Sequence, residues 1–270
     1  GEQFDTAIIL PNSFRAAMLA RLACIPRRIG YDRDGRGLLL TDRLMPLRDT
    51  RRFIPVPTVE YYLAIARYLG AADDDATLRL FTHEADDRRV GDLLRDAGLN
   101  VQNGDRLLLM TPGANYGDAK LWPAERFAAV ADRCARALAL TPAVSGAPGE
   151  RPILDAVRRA ATTPVIDLPA LGVDLKLLKS VLRHTAVTLT NDTGPRHMAA
   201  AMGVPVVTVF GPTDPAWTEL DFPYERQLAA GVFCQPCQLK RCPIDHRCMT
   251  NVSVDDAFEQ VRAVLDEVAR

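Results

Sequence analysis

The residue types best suited to chemistry are concentrated in the segment NDTGPRHMAAAMGVPVVTVFGPTDP, residues 191–215. Its first turn places Asp192, Thr193 and Gly194 directly before a predicted helix. Free backbone N–H groups and the positive end of a helix dipole favour a phosphate at such a position. His197 lies in the first turn of this helix, and its ring N–H can donate to a phosphate oxygen. The plainer alternative is that Asp192 or Thr193 caps the helix and that His197 is a surface residue.

A second Gly-containing turn lies in the segment TPGANYGDAKLWPAE, residues 111–125. Gly113 and Gly117 allow the backbone to approach a ligand closely. Lys120 is one of four lysines in the chain. A flexible ammonium beside a helix start suits a diphosphate, whose charge grows as it departs; a solvated loop lysine is the competing interpretation. The spacing matches neither the P-loop nor G-x-G-x-x-G, so neither of those nucleotide-binding fingerprints applies.

A third turn, SGAPGE at residues 145–150, follows the apolar residue Val144. Glu150 ends this turn, and its carboxylate can accept hydrogen bonds from ribose hydroxyls, as an acid does in nucleotide-binding folds. An acidic charge at the N-terminus of the following helix is an equally good interpretation, because such a charge is favourable there without any ligand.

The elements that must position these turns alternate, from residue 105 onward, between short apolar strands and amphipathic helices. This alternation predicts βαβ units and a parallel sheet. Because ligands bind outside the carboxyl ends of the strands in such sheets, we expect the three turns to lie at one edge. The predicted strands are 106–110, 141–145, 164–168, 186–190 and 205–210, and the predicted helices are 123–138, 151–161, 175–183, 195–202 and one that begins at Ser253.

The first hundred residues are less regular. One clear strand is too few for a free-standing α/β domain, and the chain enters that strand soon after Gly1, so we expect residues before Gly1 to complete the sheet. The predicted elements are a strand at 6–10, a helix at 13–23, a basic Gly-containing loop, a helix at 61–69 and an acidic linker or surface loop at 73–75.

Length and charge limit the function classes. The chain has 270 residues, enough for two domains, which we predict at 1–104 and 105–270. A net charge of −1 gives no general attraction to nucleic acid, and no apolar run is long enough to span a membrane. Ten arginines and four aspartates lie between Arg15 and Arg52. This excess is either a patch that attracts an anionic substrate or a solvated arginine-rich surface.

Six cysteines are present, of which Cys24 and Cys134 are isolated in apolar helical patterns and are predicted to be buried thiols. The other four form a C-x2-C-x4-C-x5-C run made of Cys234, Cys237, Cys242 and Cys248. Four thiols can enclose a tetrahedral zinc ion or an iron–sulfur cluster, although this is not a common zinc-ribbon spacing. Free or partly oxidised thiols, a structural metal and disulfides are the three alternatives, and the lack of a signal segment disfavours the last. Arg241 and His246 would also suit a basic acceptor-side loop.

Together these segments resemble the ADP-heptose:lipopolysaccharide heptosyltransferases of glycosyltransferase family 9, most of all the heptosyltransferase II branch. The resemblance covers nearly the whole chain and is weakest at 69–105. It is carried by FDTAIILPNSFRAAMLARLACIPRRIGY, PGANYGDAKLWPAERFAAVA, NDTGPRHMAAAMGVPVVTVFGPT and the cysteine run. It implies an α/β fold of the GT-B type, with two Rossmann-like domains, the N-terminal one incomplete in this chain.

The resemblance also implies roles for individual residues. Lys120 would contact the diphosphate and stabilise it as leaving group, and Glu150 and Leu171 would lie near the ribose and adenine. The remaining donor-side residues would be Asn115, Tyr116, Gly117, Asp192, Thr193, Gly194 and His197. Asn115 and Tyr116 stand where some relatives carry threonines. The acceptor-side residues would be Asn12, Ser13 and Arg15.

The implied activity is inverting transfer of a heptose from ADP-heptose to the inner core of lipopolysaccharide, without a required cofactor. In relatives the candidate base, which takes the proton of the acceptor hydroxyl, is an aspartate in a Gly-Asp turn expected before Gly1. The implied location is cytoplasmic, with peripheral contact at the inner face of the cytoplasmic membrane. A nucleotide-sugar epimerase-like enzyme and an inactive donor-binding fragment are the alternatives.

Overall fold

The computed structural model describes residues 3–50, 52–72, 76–100 and 103–269, so the acidic stretch 73–75 lies outside the described residues. The chain divides into two compact units. The N-terminal unit consists of Gly1–Ala76 with Pro215–Glu219, and the C-terminal unit of Thr77–Asp214 with Leu220–Arg270.

The N-terminal unit contains a small parallel sheet. Its elements are β1 (Thr6–Ile8), α1 (Phe14–Leu22), β2 (Arg27–Tyr31), β3 (Asp42–Leu44), β4 (Arg48–Asp49), β5 (Arg52–Phe53) and α2 (Thr58–Tyr68). The sheet order is β1-β2-β3, whereas β4 and β5 form a separate antiparallel pair. The prediction of a single strand here is wrong, because part of the predicted basic loop forms β2 and β3. Ile29 and Tyr31 of β2 are buried and pack against Tyr61 of α2, so this arginine-rich segment contributes to a core.

The C-terminal unit follows the predicted alternation of strands and helices. Its elements are α3 (Glu84–Asp96), β6 (Leu107–Thr111), α4 (Ala124–Leu138), β7 (Thr141–Val144), α5 (Arg151–Ala160), β8 (Ile166–Asp167), α6 (Leu175–Leu182), β9 (Thr185–Asn191), α7 (Gly194–Ala201), β10 (Val206–Phe210), β11 (Glu225–Ala229), α8 (Arg247–Thr250) and α9 (Val254–Val268). The strands and helices predicted after residue 105 are confirmed to within two residues at each end. Ser253 caps α9 as predicted, since its hydroxyl accepts the backbone N–H of Asp256 at 3.0 Å.

The strand order of this unit determines where a ligand can bind. The six strands are parallel and follow the order β11-β10-β9-β6-β7-β8. Counted from β6, the first strand of this sheet along the chain, this is the doubly wound order in which successive connections first move one way and then the other. The direction reverses between β6 and β9, and a crevice opens outside the carboxyl ends of two such strands.

Helices cover both faces of the six-stranded sheet. On one face α4, α5 and α9 pack over side chains that include Leu108, Met110 and Val187. On the other face α3, α6 and α7 pack over side chains that include Leu107 and Leu109. Successive residues of β6 therefore point to opposite cores, which explains why its first four residues are all apolar.

The two compact units do not divide at the predicted 104/105 boundary. Helix α3 belongs to the C-terminal unit because its buried residues Val90 and Leu94 join the same core as Leu178 of α6. The assignment of the two parts of the chain to acceptor and donor remains a prediction.

In the described ranges, no helix is both long and apolar enough to cross a bilayer.

Candidate functional site

A cavity of about 780 Å³ lies at the carboxyl edge of the six-stranded sheet. Its residues come from the ends of four strands: Thr111, Gly113 and Asn115 after β6, residues 145–148, 150 and 151 after β7, residues 169, 170, 172–175 and 178 after β8, and Thr193, Gly194 and Pro195 after β9. The cavity thus includes the switch point between β6 and β9 and brings the three Gly-containing turns together. A volume of several hundred cubic ångströms suits a nucleotide-sized ligand (roughly 300–1,000 Å³).

One wall of the cavity is largely apolar. Its side chains are Pro169, Ala170, Val173, Leu175 and Leu178. Such a wall suits a flat, weakly polar ring system. Leu171, which the family resemblance places near the adenine, does not line the cavity but packs against the core that α3 and α6 share.

The opposite wall is the N-terminus of α7. Thr193 occupies the N-cap position, but its side chain makes no capping hydrogen bond and lies instead 3.2 Å from the hydroxyl of Thr190. The plain helix-cap interpretation is therefore not what the structure shows. The N–H of Gly194, the first residue of α7, lies beside the cavity without a side-chain cap from Thr193, where an anion can accept its hydrogen bond; Pro195 has no N–H, and the N–H of Arg196 donates to the carbonyl of Thr193 at 3.2 Å.

Glu150 stabilises its own turn and also lines the cavity. One carboxylate oxygen accepts the N–H of Ala147 at 2.7 Å, which stabilises the turn before α5. The carboxylate also lines the cavity and lies directly against Gly113 and Gly146, where an added Cβ would collide with it. The two glycines thus leave the space that the Glu150 carboxylate occupies at the cavity wall.

Lys120 is not a solvated loop residue. Its ammonium lies 2.5 Å from the Asp192 carboxylate and 3.1 Å from the Asp192 carbonyl oxygen. Both residues are buried, with 8% and 6% of their surfaces exposed. Two of the three ammonium N–H donors are therefore used, and the pair lies next to Thr193, the residue at which the cavity begins.

Asp192 carries its negative charge inside the protein because cations surround it. Arg196 lies 3.4 Å from Oδ1 of Asp192, and the hydroxyl of Thr213 donates at 3.0 Å to Oδ2, the oxygen that Lys120 also contacts. Burial opposes ionisation, but the charge and hydrogen bond of Lys120, followed by the charge of Arg196, outweigh burial and hold the pKa of Asp192 below its ordinary value.

His197 is half-buried and is absent from the cavity wall. Burial, followed by the positive charge of Arg196, lowers the pKa of this imidazole below its ordinary value. At neutral pH the ring is therefore uncharged and can donate one hydrogen bond.

Comparison with known proteins identifies the family of this chain. Residues 1–247 match the family model described as glycosyltransferase family 9 (heptosyltransferase). The chain belongs to glycosyltransferase family 9. The lipooligosaccharide heptosyltransferase 2 of Haemophilus influenzae is 28% identical over 224 residues, which are 80% of this chain and 63% of that protein. This chain therefore spans less than two thirds of the length of that curated relative.

Solved structures of family 9 proteins share the fold. The glycosyl transferase family 9 protein of Veillonella parvula superimposes with a TM-score of 0.78 at 22% identity, over 98% of this chain and 75% of that one. The Escherichia coli ADP-heptose LPS heptosyltransferase II gives a TM-score of 0.76 at 22% identity, over 98% of this chain and 78% of that one. The predicted α/β fold of the GT-B type is confirmed.

In this family 9 chain, the turn that carries Lys120 is fastened to the cysteine segment, residues 234–248. Tyr116 donates its hydroxyl hydrogen to the carbonyl of Gln238 at 2.6 Å, and its ring lies 4.9 Å from the Lys120 ammonium. The N–H of Ala119 donates to the carbonyl of Lys240 at 3.1 Å, and a Cβ at Gly117 would strike the same carbonyl. Tyr116 and Gly117 therefore hold the turn in place and do not line the cavity.

All six cysteines are free thiols. Cys134 is buried as predicted, but the prediction of a buried Cys24 is wrong, because this residue lies in an exposed turn after α1. The four cysteines of the cysteine segment line one small cavity of about 80 Å³. Among the residues that the structure describes, no group of three or more His, Cys, Asp or Glu side chains is arranged to hold a metal ion.

The predicted acceptor-side residues have different environments. The side-chain oxygen of Asn12 accepts hydrogen bonds from Tyr61 at 2.9 Å and from Arg36 at 3.1 Å. Ser13 caps α1 by accepting the N–H of Ala16 at 3.2 Å, so it has a structural function. Arg15 is exposed on α1 and open to an anionic ligand.

Sequence reasoning missed several polar residues around Asp192. Arg196 and Thr213 contact its carboxylate, and Glu225 in turn binds Arg196. Asn191 joins two of the turns, because its side chain donates to the carbonyl of Pro112 at 2.7 Å. Arg196 was visible inside the NDTGPRH segment, but the polar strand that carries Glu225 gave no comparable signal.

Proposed function

We propose that this chain binds ADP-heptose in its C-terminal unit and takes part in inverting transfer of the heptose to the inner core of lipopolysaccharide. The observation that carries this proposal is the cavity at the β6–β9 switch point, which ends at an uncapped helix N-terminus beside the buried Lys120–Asp192 pair. Family membership and the names of the relatives, a lipooligosaccharide heptosyltransferase 2 and an ADP-heptose LPS heptosyltransferase II, support the donor and acceptor classes.

The donor would lie along the cavity. The adenine would pack on the apolar wall near Ala170 and Val173, and Glu150 would accept hydrogen bonds from the ribose hydroxyls. Asn115 lies on the same side as Glu150 and would contact the sugar–phosphate portion. The diphosphate would accept N–H groups at the start of α7, next to Thr193 and Gly194.

Lys120 would act on the departing diphosphate. During transfer, the bond between the anomeric carbon and the diphosphate oxygen breaks, and the acceptor hydroxyl oxygen forms the new bond from the opposite face. The hydroxyl proton passes to a base, and ADP leaves with the bonding electron pair. Because negative charge grows on the diphosphate as this bond breaks, a fixed ammonium nearby stabilises the transition state more than the bound donor.

The N-terminal unit would recognise the acceptor through its arginines. Arg15 is exposed, and Arg33 has a buried Nε atom for which no hydrogen-bond partner is found. Guanidinium groups bind phosphate and carboxylate through paired N–H donors, so such residues suit the anionic inner core. A cytoplasmic location, with peripheral contact at the inner face of the cytoplasmic membrane, belongs to the same proposal.

The proposal is tested by mixing the purified chain with ADP-heptose and a heptose-deficient lipopolysaccharide core. We expect ADP release that depends on the acceptor and an acceptor mass gain of one heptose. Release of nucleotide and free sugar without acceptor would favour an epimerase-like enzyme. ADP binding in calorimetry without any transfer would favour a donor-binding fragment, and absence of ADP binding would refute the donor site itself.

We also propose that the cysteine segment binds a structural metal ion. Its support is that all four cysteines line the same 80 Å³ cavity, so rotation of their side chains could direct several sulfurs to one point. Elemental analysis of the purified protein, together with the Cys237→Ser variant, tests this idea. About one metal ion per chain, lost in the variant, would support it, and a metal-free protein of unchanged stability would refute it.

A further inference from the structure

A row of four buried charged groups leads away from the candidate donor site. Lys120 contacts Asp192 at 2.5 Å, Asp192 contacts Arg196 at 3.4 Å, and Arg196 contacts Glu225 of β11 at 2.5 Å. The Arg196 side chain is completely buried, and the Asp192 and Glu225 side chains are each 4% exposed. Positive and negative groups alternate along this row; none of the four lines the cavity, and Asp192 directly precedes Thr193, which does.

The far end of the row is held firmly. Arg196 and Glu225 form a two-pronged pair, with Nε to Oε1 at 2.5 Å and Nη2 to Oε2 at 2.8 Å. Thr208 donates to Oε1 of Glu225 at 2.9 Å, and Gln227 donates to Oε2 at 3.2 Å. Paired hydrogen bonds of this kind fix the orientation of a guanidinium as well as its position.

The composition of the row decides how much of the Lys120 charge acts on a ligand. If Asp192 contacted Lys120 alone, the two charges would largely cancel in the surroundings of the pair. Arg196 shares the Asp192 carboxylate, so less of that negative charge is directed at the ammonium. Glu225 in turn balances Arg196 at a greater distance from the cavity, which keeps the buried row neutral as a whole.

We infer that Arg196 and Glu225 are positioning residues that orient Asp192 and thereby set the place and the effective charge of Lys120 toward the β-phosphate of a nucleoside diphosphate. This inference rests on the proposed placement of the donor diphosphate beside Lys120. Neither residue lines the cavity, so both act through Asp192. Glu225 is thus tied to the site although it lies on the edge strand of the sheet.

The test uses ADP and AMP, which differ only by the β-phosphate. Affinities of both nucleotides for the full chain are measured by calorimetry for the wild type, Glu225→Gln and Arg196→Lys. Glu225→Gln removes the carboxylate whose two oxygens orient Arg196. We expect this loss of orientation to outweigh the added positive charge of the row and to weaken ADP binding by roughly 10-fold, with AMP binding nearly unchanged, a smaller loss than removal of a directly acting group gives. Arg196→Lys keeps the charge but loses the paired geometry, so it should show the same selective loss.

Two controls separate positioning from simple destabilisation. Asp132→Asn removes another buried carboxylate of the C-terminal unit, one that accepts the N–H groups of Thr162 and Thr163 at 2.8–3.0 Å away from the cavity wall. It should lower stability without changing the ratio of ADP to AMP affinity. In the double variant, adding Glu225→Gln to Lys120→Met should cause no further loss of ADP affinity, because Glu225 acts through Lys120.

Equal losses of affinity for ADP and AMP would overturn the inference and leave Glu225 a structural residue. So would losses of ADP affinity that add up when Glu225→Gln and Lys120→Met are combined. If Glu225→Gln proves too unstable, Glu225→Asp replaces it, since this variant keeps the charge on a shorter side chain. Its ratio of ADP affinity to AMP affinity must then fall between the ratios of the wild type and Lys120→Met. The readout is independent of heptose transfer. A selective loss in a chain that transfers no heptose would sustain the inference while the proposed function fails.

Discussion

Replacement of Lys120 by methionine tests the candidate site most directly. Methionine is an unbranched side chain, so Lys120→Met removes the ammonium with little change of shape. The change leaves Asp192, which is 6% exposed, without its nearest cation. Removing one partner of a buried ion pair typically costs about 3–5 kcal/mol. Because Arg196 and Thr213 still contact the carboxylate, we expect the lower end, about 3 kcal/mol in the free energy of unfolding.

The pH dependence of this loss has a definite sign. In the wild type the pKa of Asp192 is held below its ordinary value of 3.8, so the ionised group stabilises the fold above that pH and its contribution is lost as the pH falls through the lowered pKa. Without Lys120, burial raises this pKa relative to the wild type. The stability difference between wild type and variant should therefore be largest at pH 7 and should narrow as the pH falls toward 4 and below.

Denaturant unfolding of both proteins, followed by circular dichroism at several pH values, measures the stability difference. In the transfer assay, the same variant should lose roughly 10²–10³-fold in turnover, as enzymes do when a preorganised electrostatic group is removed. Lys120→Arg is the matched control, since it keeps a positive charge in a different shape. Unchanged turnover together with an unchanged free energy of unfolding would refute both the buried pair and its function.

Three further experiments test separate parts of the structure. Gly113→Ala should push the Glu150 carboxylate away and weaken ADP binding by roughly 10-fold in calorimetry. Gly149→Ala is the control, because an added Cβ there meets no atom within 4 Å and should leave ADP binding unchanged. Equal ADP affinities of the two variants would contradict the assignment of Glu150. Trp122→Ala removes a completely buried indole whose N–H donates to a backbone carbonyl at 3.1 Å. The free energy of unfolding, measured in denaturant titrations, should therefore fall by about 3–5 kcal/mol. A loss below about 1 kcal/mol would mean that the core relaxes to fill the space left by the indole. His197 should titrate below its ordinary pKa of 6.5 in an NMR titration, and a midpoint above 7 would show that burial and the Arg196 charge do not control it.

The elements of the C-terminal unit could be predicted wherever apolar periodicity decides the structure. β6 and β9 are buried at every residue, which is typical of parallel strands covered on both faces. β11 was missed because its sequence ERQLA is mostly polar, which an edge strand tolerates. α3 was missed because most of its residues are charged and only two apolar side chains, Val90 and Leu94, are buried.

β2 was missed for a different reason. It begins with Arg27 and Arg28, which suggested a basic loop, yet it pairs with a strand on each side. Arg27 pairs with Asp42 of β3 at 3.0 Å, and the backbone oxygens of Leu39 and Ile25 accept hydrogen bonds from Arg28. The strand is therefore stabilised by tertiary contacts that local sequence does not reveal.

The candidate site shows the same distinction between local and long-range information. The convergence of the three turns could be expected, because parallel strands bring their carboxyl ends to one edge. The pairing of Lys120 with Asp192 could not, since these residues are 72 positions apart and meet only because β9 lies beside β6 in the sheet. The resemblance marked both as donor-side residues but implied no ion pair between them.

The position of the buried charges indicates a reason for their presence in the protein interior. Replacing a buried ion pair by well-packed apolar side chains is often neutral or stabilising, so packing alone gives no reason for the row from Lys120 to Glu225. The strands themselves show that apolar packing is available here, because Leu189 and Val209 lie in the same two strands that lead into the row. The charges begin where β9 ends, next to the cavity, whereas the buried side chains of β9 and β10 are uncharged. A charge row at that place fits a site where negative charge must be received, and it predicts that apolar replacement of the whole row would keep the fold and lose nucleotide diphosphate binding.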